Sequence, residues 1–319
     1  MLNKIFLLIL LVISVNGESL ELKNITFVTE NDSDIRQDQD YSYGSELGVL
    51  FYRKDLKDSI FHIPFTDYKN QDSYFSISYA QKIYTPEDIE NSSLIKTDRP
   101  YAGYMYLKPA LHQAYNNNLK SLSLQLGLIG HTTQMDKIQR LIHTAIGSDE
   151  PKGWEHQLKN ELILQLNYTH KRYIKLGTQS VFIPELGVEL GNASTKAYVA
   201  GLYRYGNILP KDYGTTQIEN SNYNKIPLDP DTKYHNGWSY SLNLLFRTSF
   251  VARDIFLDGN TFADSHSVEK KIFVAELGYG ISVNYKNFSI DYLRRHTTHQ
   301  FNQQNRYPSY GSFIFSYNF

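Results

Sequence analysis

The feature that most limits what this chain can fold into is a period-two alternation of apolar and polar side chains that recurs along most of its length. Leu122, Leu124, Leu126 and Leu128 alternate with Ser121, Ser123, Gln125 and Gly127. Phe75, Ile77 and Tyr79 alternate with Ser76, Ser78 and Ala80, and Leu162, Leu164, Leu166 and Tyr168 with Glu161, Gln165, Asn167 and Thr169. The same rhythm runs through Trp238, Tyr240, Leu242, Leu244 and Phe246, through Phe288, Ile290 and Tyr292, and to the last residues Phe313, Phe315, Tyr317 and Phe319. Successive side chains of a strand point to opposite faces, so each of these runs reads as a strand with one apolar face.

A soluble sandwich also alternates, with one wet face. Three features favour a transmembrane barrel instead. The runs are about ten residues long, as a tilted spanning strand requires. Their apolar faces end in aromatic residues, the pattern of an interfacial girdle. The sequence closes on Phe319 at the end of an alternating strand. The 26 Tyr and 17 Phe exceed what a soluble core needs. We therefore expect an all-β fold: a transmembrane antiparallel β-barrel of about 12 strands. The strands lie near 22–30, 42–53, 73–84, 101–115, 120–130, 160–171, 173–190, 195–205, 236–252, 271–285, 287–297 and 309–319.

Residues 1–17 read as a signal peptide: Lys4, then the apolar run Ile5 to Ile13, then Val15 and Gly17 before a cut at Glu18. That run is too short to span a bilayer as a helix. Residues 18–319 then form one barrel domain in the outer membrane. Among the rest of the sequence nothing approaches eighteen apolar residues in a row, so a membrane-spanning chain must close its backbone hydrogen bonds as a barrel. With 33 acidic and 32 basic residues the charge is balanced, which offers nucleic acid no attractive field. With no cysteine there is no disulfide frame, thiolate metal site or cysteine nucleophile. The composition sets no oligomeric state.

With the N-terminus in the periplasm, the outward loops fall near 31–41, 85–100, 131–159, 253–270 and 298–308. The Asn-rich stretch 206–235 would then be a long periplasmic loop, where turns are normally short. In the third outward loop the period changes. Met135, Ile138, Leu141, Ile142 and Ala145 fall at helical spacing, Thr132 or Thr133 stands where a cap belongs, and Gly147 stands where a helix stops. Gln139 and His143 are four apart and share one face of this extracellular helix. Histidine is the common general base near neutral pH, so the pair can position and activate a water. The alternative is a solvated histidine on the polar side of the helix.

The first loop opens Glu30-Asn31-Asp32-Ser33-Asp34. Asn and Asp are ordinary turn residues. They are also oxygen ligands of the type Ca²⁺ takes, and Ser42, across the hairpin, can join Asn31 and Asp32. An EF-hand is excluded, because its Gly and Glu positions are not filled. Nucleophile-elbow, Walker, His-Glu-x-x-His and dinucleotide signatures are missing as well. A histidine-activated water beside a bound cation is the chemistry these residues favour over a serine hydrolase.

A set of short motifs in a fixed order resembles the outer-membrane lipid A 3'-O-deacylase family (LpxR-like). They are Glu30-Asn31-Asp32, Tyr41-Ser42-Tyr43-Gly44, Ile83-Tyr84-Thr85-Pro86, and Asp98-Arg99-Pro100-Tyr101-Ala102-Gly103. Then come Leu128-Ile129-Gly130, Gln139-x-x-x-His143, Ile146-Gly147, Gly153-Trp154-x-x-Gln157-x-x-Asn160-Glu161, Pro184-Glu185, and Phe256-Leu257-Asp258-Gly259-Asn260. The resemblance implies a twelve-stranded barrel with its site at the outer rim, between wall and loop helix. It implies a Ca²⁺-dependent ester hydrolase that removes the 3'-linked acyloxyacyl chain of lipid A, the lipopolysaccharide anchor in the outer leaflet. In that family His143 would be the base and Gln139 would orient water or substrate. Asn31, Asp32 and Ser42 would build the cation and oxyanion region. Ser42 stands where the family can carry Thr, and Lys96 is the candidate for a basic residue after the third strand. Lys96, Arg99, Lys137, Arg140, Lys152 and Lys159 lie on or near outward loops and can pair with phosphates; ordinary loop solvation is the alternative. The competing functions are an outer-membrane phospholipase and a non-catalytic barrel: a porin, an adhesin or an assembly scaffold.

Overall fold

The computed structural model describes residues 20–32, 40–53, 72–215, 218, 223, 225–232 and 235–319. The expected signal peptide, residues 1–17, and Ser33 and Asp34 lie outside the described residues. Twelve strands form: β1 (Glu21–Asn31), β2 (Asp40–Arg53), β3 (Asp72–Thr85), β4 (Ala102–Tyr115), β5 (Asn118–Ile129) and β6 (Glu161–Arg172), which Ile174–Lys175 extend past Tyr173. They continue as β7 (Ser180–Gly191), β8 (Ser194–Gly206), β9 (Trp238–Asp254), β10 (Phe273–Tyr285), β11 (Phe288–Thr297) and β12 (Ser309–Asn318). Each pairs antiparallel with its sequence neighbours. The sheet closes where β1 meets β12, from Asn24 opposite Asn318 to Asn31 opposite Gly311.

Closure removes every sheet edge, so the wall can face hydrocarbon with its backbone satisfied. The alternation sets which side is which. Leu162, Leu164, Leu166, Leu242, Leu244 and Phe246 are exposed on the outer surface, while Gln165, Asn167, Asn243 and Arg247 between them are buried in the lumen. An aromatic belt marks the short-turn end, where Trp238 meets Tyr285 and Phe288 meets Tyr317, each with ring centroids 4.7 Å apart. The lumen is filled with paired charges. Lys108 lies 3.1 Å from Glu46, Lys171 3.6 Å from Glu185, and Arg295 3.4 Å from Glu276.

Two expectations need correction. Residues 173–190 do not form one strand: Leu176 and Gly177 donate to the carbonyl of Ser180, making a turn between the end of β6 and β7. The stretch 206–235 is not simply a periplasmic loop. Its described residues fold back into the lumen. The Tyr213 hydroxyl donates to the Asn118 carbonyl and Tyr223 to Asn24, both near the short-turn end. Higher up, the Ile218 amide donates to Glu30 at 2.9 Å, and Lys82 donates to the Ile218 carbonyl at 2.8 Å. From Asn24 to Glu30 is six strand residues, or about 20 Å of lumen. Asp212 and Lys225 of this stretch are buried there because the wall supplies their counter-charges, Arg204 and Asp291.

At the other end sit the long loops. They carry α1 (Met135–Ile146) and the single-turn α2 (Ile255–Asp258). In α2, Asp254 accepts from the Phe256 amide, and Phe256 stacks on Tyr84 with ring centroids 3.9 Å apart, covering the lumen from above. Among the described residues no helix is long and apolar enough to cross a membrane.

Candidate active site

The helix α1 lies on the outer surface of the wall. The alternation at the rim shows this. Glu30 faces the lumen, where Tyr41 and Ser312 donate to it, so Asn31 faces out. Tyr84 faces α2 inside, so Ile83 faces out; Tyr104 donates to luminal Gln125, so Gly103 faces out. A side chain at Gly44 would run into the luminal Tyr41 ring, so its neighbour Tyr43 also faces out. In register, Asn31 pairs with Tyr43, Tyr43 with Ile83, and Ile83 with Gly103. These four form one outward row across β1 to β4, and three strand spacings make it about 14 Å long.

The start of α1 is docked at the Gly103 end of that row. The Gly130 amide donates to the Gly103 carbonyl at 2.9 Å, and a Cβ on Gly103 would lie 2.6 Å from the Cβ of Met135. Only a glycine lets the helix approach this closely. Met135 then packs with Ile83, Tyr101 and Trp154, and Ile138 and Tyr43 join the same cluster. The expected threonine cap does not form. Thr133 donates to the Gly130 carbonyl, and Gln134, in a left-handed conformation, precedes the first turn. Gly147, with φ of 72°, ends the helix as expected.

The face that α1 buries differs from the one its apolar spacing suggested. The buried residues are Met135, Gln139 and His143, one every fourth position. Gln139 is 2% exposed and His143 is 4%, whereas Leu141 is 71% exposed. His143 is therefore not a solvated loop histidine. Its Nδ1 meets the backbone carbonyl of Asp149, which the chain brings back after Gly147. A carbonyl only accepts, so Nδ1 carries the proton and the basic lone pair is on Nε2. Gln139 is oriented by Trp154, whose indole N–H donates to Oε1 at 2.7 Å. Its Nε2 has no hydrogen-bond partner among the described residues.

Ser42 sits at a bulge in β2, and its hydroxyl lies 2.6 Å from that of Thr85. Asp32 is buried just past the end of β1. The structure thus places Gln139 and His143 on one buried helix face, and Asn31 in the outward row over which that helix is docked. Asn31, Asp32 and Ser42 offer amide, carboxylate and hydroxyl oxygens, a donor set of the type a hard cation takes. Among the described residues no group of three acidic or histidine side chains forms, so backbone carbonyls would have to complete the shell.

Most of the basic set is already engaged. Arg99 is buried at 2.9 Å from Asp40, Arg140 lies 3.0 Å from Glu150, and Lys152 lies 3.6 Å from Glu90. Lys137 donates to Gln134. Lys96 and Lys159 are exposed.

The sequence family described as "Outer membrane protein LpxR" matches residues 5–319. The chain belongs to the LpxR family. The solved structure titled "LpxR from Salmonella typhimurium" has a TM-score of 0.73 at 17% identity, covering 93% of this chain and all of that one. The LpxR barrel is therefore the fold. Other barrels align less well: the β domain of the Bordetella autotransporter BrkA has a TM-score of 0.42 at 10% identity over 93% of this chain and 97% of that one. The KdgM porin has 0.38 at 8% identity over 93% and 99%. No curated protein matches the sequence.

Several LpxR-like motif residues turn out to hold the loops in place. Glu161 accepts from Asn192, Asn260 and Thr261, and Asn160 accepts from the Thr132 amide, so three loops are tied at one point. Tyr101 packs on Trp154, and its hydroxyl donates to the Ile89 carbonyl. Spacing alone did not single out Trp154, Thr85 or the Asp149 carbonyl as site residues. The signal for Trp154 was its rarity, since the chain has only two tryptophans.

Proposed function

We propose that this outer-membrane protein is a lipid A deacylase that hydrolyses the 3'-linked acyloxyacyl ester with a water activated by His143. The observation that carries this reading is the buried Gln139–His143 pair held against the outer, lipid-facing surface of the barrel rim. A base there meets a lipid ester, not a solute in the lumen. Described residues between Asp212 and Ile226 occupy the lumen, which disfavours a porin.

In this mechanism Nε2 of His143 takes a proton from water while the Gln139 carboxamide, fixed by Trp154, orients that water or the ester. The water oxygen bonds to the ester carbonyl carbon. The tetrahedral intermediate then breaks its bond to the sugar oxygen, which receives the proton from His143. The products are a free fatty acid and the sugar hydroxyl, with no acyl-enzyme. Asn31, Asp32 and Ser42 would hold a Ca²⁺ ion, whose charge stabilises an ester oxyanion. Of the six basic residues considered, exposed Lys96 and Lys159 are offered to lipid A phosphates.

The test is mass spectrometry of lipid A from a host lacking the activity. Wild type should lose the 3'-linked chain, and His143→Ala and Asp32→Ala should lose at least about 10²-fold in rate while the barrel still folds. Lipid A unchanged by wild type, or processed equally by His143→Ala, defeats the proposal. Full activity in excess chelator defeats the cation role. Cleavage of phospholipid in preference to lipid A would point to a phospholipase.

A further inference from the structure

We infer that the lumen binds one small monovalent anion, of the size of chloride, between Lys171, Arg247 and Arg295 of the wall and Thr215 of the inner segment. The site stands apart from the proposed deacylase chemistry and rests on the charges of the lumen alone. It opens in one row of the wall. In register, Lys171 lies opposite Glu185, Glu185 opposite Ala200, Ala200 opposite Arg247, and Arg247 opposite Glu276. Their neighbours Leu186, Val199, Phe246 and Leu277 are exposed on the outer surface, so the row faces in. Four of its members carry long charged side chains, whereas Ala200 carries only a methyl group. At Ala200 lies a cavity of about 20 Å³, lined also by Lys171, Glu185, Arg247, Arg295 and Thr215. That is room for one water-sized body. The rest of its wall includes Ile183, Leu202 and Leu245, whose low polarity strengthens every charge interaction inside it.

The charges around this cavity do not balance. Lys171, Arg247 and Arg295 bring three positive charges, against two negative ones from Glu185 and Glu276. Lys171 lies 3.6 Å from Glu185, while Arg295 and Arg247 share Glu276 at 3.4 and 3.9 Å. Tyr198 takes part of Glu185 as well, through its hydroxyl, and its ring lies 4.3 Å from the Arg247 guanidinium. The next ion pairs are closed on themselves: Arg204 with Asp212 at 2.7 Å, and Lys196 with Glu189 at 3.2 Å. Among the described residues the set around the cavity thus carries one surplus positive charge, and an uncompensated buried charge is strongly unfavourable. Two buried donors sit beside it. Arg295 Nε and Thr215 Oγ1, each on a residue 3% exposed, have no hydrogen-bond partner among the described residues. A guanidinium N–H only donates, so what fills the gap is an acceptor. Water accepts but leaves the surplus charge, and carboxylate and phosphate groups exceed the space. A halide meets both conditions. Because Thr215 belongs to the inner segment, the bound ion would fasten that segment to β6, β9 and β11.

The probe is bromide, a chloride analogue visible by its anomalous scattering. Crystals of the full barrel soaked in sodium bromide should show an anomalous peak in this cavity, within hydrogen-bonding reach of Arg295 Nε and Thr215 Oγ1. Density there without an anomalous signal would mean a bound water and overturn the proposal. In solution, hydrogen exchange of 211–215 should slow several-fold, and saturably, as sodium chloride replaces sodium gluconate at constant ionic strength. Arg295→Gln removes the surplus charge and keeps most of the stem, so it should abolish both the peak and the chloride dependence. If that variant fails to fold, Thr215→Val, which leaves every charge in place, carries the test: its chloride response should be several-fold weaker. Exchange indifferent to chloride in wild type, or an unchanged response in Thr215→Val, would overturn the proposal as well.

Discussion

Replacing Trp154 with Phe isolates the one contact that orients Gln139. Phe keeps an aromatic six-membered ring to pack on Tyr101, 5.1 Å away between ring centroids, and the volume lost with the pyrrole ring is a stability cost that the double-mutant cycle below separates from the hydrogen bond. What is lost is the indole N–H 2.7 Å from Gln139 Oε1. That oxygen is then buried without a donor, on a side chain that already has an unpaired Nε2 and is 2% exposed. An orphaned buried polar atom costs about 1–3 kcal/mol. The enzyme can meet that cost in two ways. If the carboxamide stays, the folded state loses the whole amount. If it swings toward solvent, the fold recovers and the reaction loses its orienting group, a fall of roughly 5- to 150-fold at 1.4 kcal/mol per decade. Lipid A deacylation rate and thermal unfolding of the folded barrel, measured together, capture both outcomes. A double-mutant cycle with Gln139→Ala locates the effect. If Trp154 acts through Gln139, Trp154→Phe adds nothing in the Gln139→Ala background. Unchanged rate and stability in the single mutant would refute the argument, as would fully additive losses in the double mutant.

Three further outcomes follow from the same geometry. Gly103→Ala puts a Cβ 2.6 Å from that of Met135 and lifts α1 off the wall; because about 1 Å of misplacement can cost 10²-fold, lipid A turnover should collapse while the heat-modifiable gel mobility of the barrel persists. Glu161→Gln keeps the size but weakens the acceptor shared by Asn192, Asn260 and Thr261, so hydrogen exchange should rise in the 130–160 and 255–272 loops and not in β10 to β12. Planar-bilayer recordings of wild type should show no porin-like steps, since Tyr213, Ile218, Tyr223 and Lys225 are buried in the lumen.

The strands were legible because a barrel wall converts period-two patterning directly into inside and outside. The helix was legible from its change of period, but its packed face was not. Apolar spacing picked Met135, Ile138, Leu141, Ile142 and Ala145, as it would for a helix on a water-soluble core. Against a wall that faces lipid the rule inverts: Gln139 and His143 are buried, and Leu141 points away. The lumen segment was hidden for another reason: Tyr213 and Tyr223, which pack with Leu50, Tyr74, Leu119 and Ile226, and Lys225, which pairs with Asp291, form no periodic apolar run in the sequence. Nor does a loop arginine's sequence position tell whether its charge is spare; Arg99 is consumed by Asp40. That His143 works together with Asn31 and Asp32 is part of the proposed function, supported by the outward row and by the docking of α1 at its Gly103 end.

The lumen segment offers a last test, because one of the ion pairs that join it to the wall can be removed from the segment's side. Lys225 donates to Asp291 at 2.9 Å, with both side chains buried and Asp291 at 0% exposure. Removing one partner of such a pair typically costs about 3–5 kcal/mol, since the other charge stays uncompensated. Lys225→Met removes the charge and keeps much of the stem, so the loss is electrostatic. The wall is closed by strand pairing on every side and does not depend on this contact. The strain should therefore be relieved by undocking of the segment, opposed by Arg204 on Asp212 at 2.7 Å and by Ile218 on Glu30. Hydrogen exchange in 207–232 should rise while that of the twelve strands holds, and brief conducting steps should appear in bilayer recordings. Replacing both partners, Lys225→Met with Asp291→Leu, should restore slow exchange, because a well-packed apolar pair is often as stable as the ion pair it replaces. If the single variant exchanges like wild type, this contact does not anchor the segment. If the double variant stays as open as the single one, what anchors the segment is the specific hydrogen bond and not charge balance.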